Sequence, residues 1–131
     1  MMMQAFLLAS LMATLLALGA CAPSGTVAGK PAYFGIRTQL LDGDLVGFQV
    51  ALRNAPGPDA VEAYARCAAA QYALIRGFGF ARQIRTTIDE RAGLWRADAV
   101  YLISAALPAG SRTIDAEVTV RDCGDLGIPT I

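Results

Sequence analysis

The sequence contains no histidine, and its 131 residues carry equal numbers of basic and acidic side chains, eleven of each. Without histidine, the usual Ser/His/Asp and Cys/His arrangements for nucleophilic catalysis cannot be built. A neutral chain also lacks the basic excess that is typical of nucleic-acid-binding domains. The three cysteines have no metal-ligand spacing. The composition therefore predicts a non-enzymatic protein with no metal, no cofactor and no nucleic-acid partner.

Charge is also absent from the first twenty residues, and the apolar excess of the chain lies there. The whole chain is 55% apolar with a mean hydropathy of +0.45, and residues 1–20 contain 16 apolar side chains. This run is too short to span a bilayer comfortably and ends in small residues, which is typical of a secretory signal peptide. The remaining residues have the composition of one small globular domain.

The signal peptide, predicted over residues 1–20, runs into Leu18–Gly19–Ala20–Cys21. This order resembles the lipobox of bacterial lipoproteins, in which an aliphatic and two small residues precede a cysteine. The resemblance implies that the Cys21 thiol carries a diacylglyceryl group, which anchors the chain to membrane lipid. Ala22, rather than Asp, favours the outer membrane. Two alternatives remain open: cleavage after Ala22 would release a soluble protein, and an uncleaved segment would be a signal anchor.

Residues 21–32 are small and rich in glycine and proline, which predicts a flexible tether with a reach of ~18 Å. Beyond it, residues 33–131 are expected to form a single α+β domain. Hydrophobic periodicity predicts the element order β-β-α-β-β-β, an antiparallel sheet of about five strands with one helix packed on one face. Strands are expected over 33–40, 45–53, 78–88, 94–104 and 113–120, and a helix over 59–76.

Three local signals mark turns and ends in this pattern. Asp42–Gly43 predicts a tight hairpin between the first two strands. Gly77 is placed to end the helix in a left-handed conformation. Strict alternation from Thr113 to Val120 indicates a strand with one solvated face, and the tail over 124–131 is expected to be irregular.

Cys67 and Cys123 are the cysteines that remain if Cys21 is lipidated. An exported protein lies in an oxidising compartment, so these two are expected to form a disulfide between the helix and the end of the last strand. The alternative is two unpaired thiols.

With these features in view, the chain resembles a group of small, uncharacterised lipoproteins from α-proteobacteria. The likeness rests on the lipobox, the Gly/Pro-rich break after the first hairpin, the helix segment 64–73 that leads into Gly77–Phe78, and Cys123 near the end of the domain. It implies a periplasm-facing location in the cell envelope and a similar α+β domain, and it brings no activity.

Arginines are concentrated in the second half of the domain. The candidate patch for an anionic ligand contains Arg82, Arg85, Arg91 and Arg96. Cross-strand ion pairing is the simpler explanation of these charges, and a patch that meets an anionic glycan or lipid head group is the functional one.

The acidic pairs Asp42/Asp44 and Asp89/Glu90 lie in predicted turns, where carboxylates are usually solvated rather than catalytic. The leading hypothesis is a lipid-anchored interaction module with an envelope protein or a wall component as its partner.

Overall fold

The computed structural model describes residues 29–131. The predicted signal peptide, Cys21 and most of the predicted tether lie outside the described residues. The elements are β1 (Ala32–Leu40), β2 (Leu45–Arg53), α1 (Pro58–Ile75), β3 (Phe80–Arg91), β4 (Leu94–Ser104), β5 (Thr113–Asp115) and α2 (Ala116–Leu126).

The five strands form one antiparallel sheet in the order β1-β2-β4-β3-β5. The β1–β2 turn contains Gly43 at a φ of 60°, a conformation that glycine adopts without strain. The β3–β4 turn has positive φ at both Ala92 and Gly93. The α+β class and the strand order along the chain are therefore confirmed.

One face of the sheet, the inner face, packs against α1 and forms the core. Alternate residues of the neighbouring strands β2 and β4 are buried on it, among them Phe48, Leu52 and Tyr101. The helix contributes mostly alanines to this contact, and Ala65, Ala68, Ala69, Ala70 and Ala73 are fully buried. Because alanine side chains are short, the α1 backbone lies close to its neighbours.

The last predicted strand is wrong beyond its first three residues. β5 ends at Asp115, and residues 116–126 form a second helix. The Asp115 side chain accepts a hydrogen bond from the Val118 amide, and Gly127 ends the helix in the left-handed conformation at φ 69°. These two caps satisfy groups at both helix ends, so the domain has two helices where one was expected.

Helix α2 lies against α1, and a disulfide joins Cys67 of α1 to Cys123 of α2. The Cα atoms of the two cysteines are 6.0 Å apart. This bond is consistent with the expected pair, although it connects two helices rather than a helix and a strand.

No helix among residues 29–131 is long and apolar enough to cross a membrane.

Candidate functional site

The face of the sheet opposite α1, the outer face, is the place where polar and charged side chains collect. In an antiparallel sheet, directly paired residues point to the same side, so the register assigns each residue to a face. Val50 pairs with Ala97 on the inner face, and the next pair along, Gln49 with Asp98, lies on the outer face. Gln49 and Asp98 are both exposed.

All four arginines of the predicted patch lie on the outer face. Arg82, Arg85 and Arg91 of β3 are paired with Leu102, Val100 and Leu94, and the fourth, Arg96, belongs to β4 itself. The register adds two arginines that the sequence pattern did not single out. Arg37 is paired with Gln49, and Arg53 is paired with Leu94. Residues that pair directly across the strands form a row, and each row is named here by its β4 residue. From the row of Leu94 to the row of Leu102, the outer face therefore holds six arginines.

Two acidic residues share this stretch of the outer face. Asp89 lies directly opposite Arg96, whereas Asp98 lies opposite Gln49 on one side and Thr87 on the other. Only one of the four predicted arginines, Arg96, therefore has an acidic residue directly opposite it in the register. Six arginines and two aspartates give this face a net charge of +4.

The middle of the outer face forms an open concavity of about 720 Å³. Its polar lining consists of Arg37, Gln49, Thr87, Asp89, Arg96 and Asp98. Ala51 leaves room at its floor because it carries only a methyl group. Phe34 stands at its rim with 60% of its side chain exposed. The guanidinium of Arg53 lies 5.9 Å from the centroid of the Phe34 ring, within the range of a cation–π contact.

Phe34 reaches this position because β1 is irregular at this point. The pairing of β1 with β2 shifts register between Tyr33 and Ile36, and Gly35 has a φ of 103°. The Gly35 amide donates a hydrogen bond to the Tyr64 hydroxyl of α1 at 3.1 Å. This contact fixes the bulged backbone to the helix.

The acidic pairs named from the sequence do not form a converging carboxylate site. Asp42 and Asp44 lie exposed at the β1–β2 turn. Asp89 and Glu90 are successive strand residues and point to opposite faces, and the Glu90 carboxylate accepts a hydrogen bond from the Gly93 amide at 2.7 Å. Among residues 29–131, no group of three or more potential ligands is arranged to hold a metal ion.

The inner side of the sheet holds the titratable group with a large pKa shift. Burial raises the pKa of Tyr101 to about 12, and the nearby Arg66 opposes this rise in part. Burial also raises the pKa of Tyr64. Both side chains pack in the core, so these shifts report on folding rather than on chemistry at the outer face.

The chain is similar to a known domain family and to a bacterial protein. A family model described as the YNQ4 C-terminal domain matches residues 33–127. An uncharacterised 26.9 kDa protein in the nqo8 5′ region of Paracoccus denitrificans, an α-proteobacterium, is 35% identical over 85 residues. That match covers 65% of this chain and 33% of the relative, so the chain spans about a third of the relative's length. No solved structure matches significantly. By the family match, the chain belongs to the YNQ4 C-terminal domain family.

Proposed function

We propose that this chain is a non-enzymatic, lipid-anchored protein of the bacterial cell envelope, whose domain binds an anionic partner through the outer face. The observation that carries the proposal is the concentration of six arginines and two aspartates on a sheet face that neither helix covers. An electropositive surface of this kind attracts carboxylates and phosphates, and arginine binds both in a bidentate manner.

The lipid anchor rests on a separate part of the chain. Leu18–Gly19–Ala20–Cys21 has the order of a lipobox, and its cysteine would carry the acyl groups. The disulfide between Cys67 and Cys123 supports an oxidising compartment, because such bonds persist outside the cytosol. Both features favour a periplasm-facing position in the envelope.

A binding experiment with polyanions tests the role of the outer face. The full chain in a non-ionic detergent is titrated with polyglutamate, with vesicles that contain phosphatidylglycerol, and with a carboxylated polysaccharide. We expect at least one of these probes to bind, with an affinity that falls as salt rises. In the double variant Arg85→Gln/Arg91→Gln, which changes two exposed arginines, the affinity should fall about tenfold, or ~1.4 kcal/mol.

The matched control changes the same charge away from the outer face. Arg66 on α1 and Arg121 on α2 are both exposed, so Arg66→Gln/Arg121→Gln should leave the affinity unchanged. The proposal fails if no polyanion binds, or if the two double variants weaken binding equally.

A further inference from the structure

The centre and the ends of the outer face differ in charge. In the concavity, Arg37 and Arg96 are balanced by Asp89 and Asp98. At the two ends, the arginines have no acidic residue opposite them in the register. Arg53 and Arg91 lie in the row of Leu94 at one end. At the other end, Arg85 lies in the row of Val100 and Arg82 in the row of Leu102. These rows are eight residues apart on β4, or ~26 Å at the usual rise of a strand. The outer face is thus a long surface with a concave, neutral centre and positive ends.

The neutral centre offers donors and acceptors together. Guanidinium groups only donate, carboxylates only accept, and the Gln49 amide and Thr87 hydroxyl do both. A ligand whose hydroxyls both donate and accept can satisfy such a mixture, whereas a phosphate or carboxylate placed there would meet Asp89 and Asp98. Hydroxyl-rich sugar rings have this character.

The exposed ring of Phe34 adds an apolar surface at the rim of the same concavity. The negative face of an aromatic ring attracts the polarised C–H groups of a sugar. A hydrated membrane is a poorer match, because a flat surface touches only the rim of a concavity and leaves Arg37 and Arg96 out of contact. A nucleic-acid backbone is disfavoured by the two central carboxylates.

We propose that the outer face binds a glycan chain that bears carboxylates, with sugar rings in the central concavity against Phe34 and the carboxylates against the arginines at the two ends. This inference rests on the proposed function and names the chemical class of the partner. It requires a linear ligand, because the positive ends lie on either side of the concavity.

The test compares two forms of one polysaccharide by calorimetry with the full chain in a non-ionic detergent. Partly methyl-esterified polygalacturonate oligosaccharides supply neutral sugar rings as well as carboxylates, and their fully methyl-esterified form keeps the rings without the charge. We expect the acidic form to bind at least tenfold more tightly. Phe34→Leu should lower that affinity several-fold because it removes the ring, and Phe34→Tyr should restore it.

Asp98→Asn separates sugar recognition from simple charge attraction. The probe for this variant is the neutral methyl-esterified oligosaccharide, because its binding is not changed by the loss of charge repulsion. A sugar site would bind this form less tightly after the change, because one acceptor oxygen is replaced by an amide donor, whereas a surface that only attracts anions would bind this form in neither protein. Equal binding of the methyl-esterified form by the wild type and Asp98→Asn, or no effect of Phe34→Leu, would overturn the glycan inference. Arginine-dependent binding to vesicles or polyglutamate with none to polygalacturonate would also overturn it, while the proposed function would stand. No binding to any polyanion would refute both.

Discussion

A single glycine ends α1 and directs the chain into β3. Gly77 has a φ of 81°, its amide bonds to the Leu74 carbonyl, and the Phe78 amide bonds to the Ala73 carbonyl at 2.8 Å. A Cβ added at Gly77 would meet nothing within 4 Å, so a side chain costs backbone strain alone. We expect Gly77→Val to lower the free energy of unfolding by about 1–2 kcal/mol in urea denaturation.

Gly79 provides the control for this substitution. It lies two residues further on, a Cβ added there would also meet open space, and its φ is not left-handed. Gly79→Ala should therefore leave the free energy of unfolding nearly unchanged. Equal losses in the two variants would show that the left-handed conformation of Gly77 is not the cause.

The ionisation of Tyr101 makes the free energy of unfolding depend on pH in the alkaline range. Burial raises its pKa to about 12 in the folded state, whereas an exposed tyrosine titrates near 10. The fold therefore favours the neutral phenol. The preference for the neutral phenol of Tyr101 contributes on the order of 2–3 kcal/mol to the free energy of unfolding. This contribution is complete below about pH 10 and is lost as the pH rises from about 10 to 12.

Urea denaturation between pH 8 and pH 12 measures this effect. The free energy of unfolding of the wild type should fall steeply above pH 10. Tyr101→Phe keeps the ring and removes the ionisable hydroxyl, so its decline should be shallower. Tyr64 also has a raised pKa and remains in the variant, so some decline should persist. Parallel curves for the two proteins would contradict the role of Tyr101.

At the scale of elements, local patterns predicted four strands and α1 well and failed at α2. The alternation of Ile114, Ala116, Val118 and Val120 fits a strand, and β-branched residues strengthen that signal. The same segment also fits a helix, because Ala116, Val120 and Cys123 recur at helical spacing. Asp115 and Gly127, which cap the two ends, were the signals that favoured the helix.

Sheet order is the second feature that local patterns could not supply. The pairing of β2 with β4 joins strands that are separated by α1 and β3, so it depends on contacts between distant parts of the chain. For the same reason the sequence grouped the four arginines of β3 and β4 but missed Arg37, Arg53 and Phe34. The polar phase of Arg37 and Arg53 along β1 and β2 was visible, but their neighbours were not. Alternation places Phe34 on the same side as Ile36, and this assignment is wrong because the register shift between Tyr33 and Ile36 turns Phe34 outward.

The disulfide joins α2 covalently to α1. It closes a loop with a sequence separation of 56 residues, and the chain-entropy model gives such a bond about 4 kcal/mol of stability. Reduction should therefore lower the free energy of unfolding by up to that amount. It should also speed amide hydrogen exchange in α2 more than in β2, which lies inside the sheet between β1 and β4.

Mass spectrometry provides the check on this bond. The non-reduced protein should be about 2 Da lighter than the reduced one, because two thiol hydrogens are lost. Free alkylation of Cys67 and Cys123 in the non-reduced protein would contradict the bond. Unchanged exchange in α2 after reduction would show that packing against α1 is sufficient to hold the helix.

At the scale of the whole molecule, the outer face and the helices lie on opposite sides of the sheet. The chain enters β1 at Ala32, which pairs with Arg53, so it enters at the end of the sheet that also holds Arg91. An anchor at Cys21 would leave about eleven residues between the membrane and the domain, with a reach of ~18 Å. If the anchor is present, that distance would keep the outer face near the membrane and open to partners in the adjacent space.

The anchor itself is the last prediction. Mass spectrometry of the mature protein should find Cys21 at the N-terminus with a mass increase from acyl chains, and membrane fractionation should place the protein in the pellet. Cys21→Ser removes the acceptor thiol, so this variant should lose the acyl mass. Asp59→Asn, on the exposed start of α1, is a control that should leave both results unchanged. An unmodified N-terminus at Pro23 would instead show a secreted domain, and the outer face would then meet its partner without the proximity that an anchor provides.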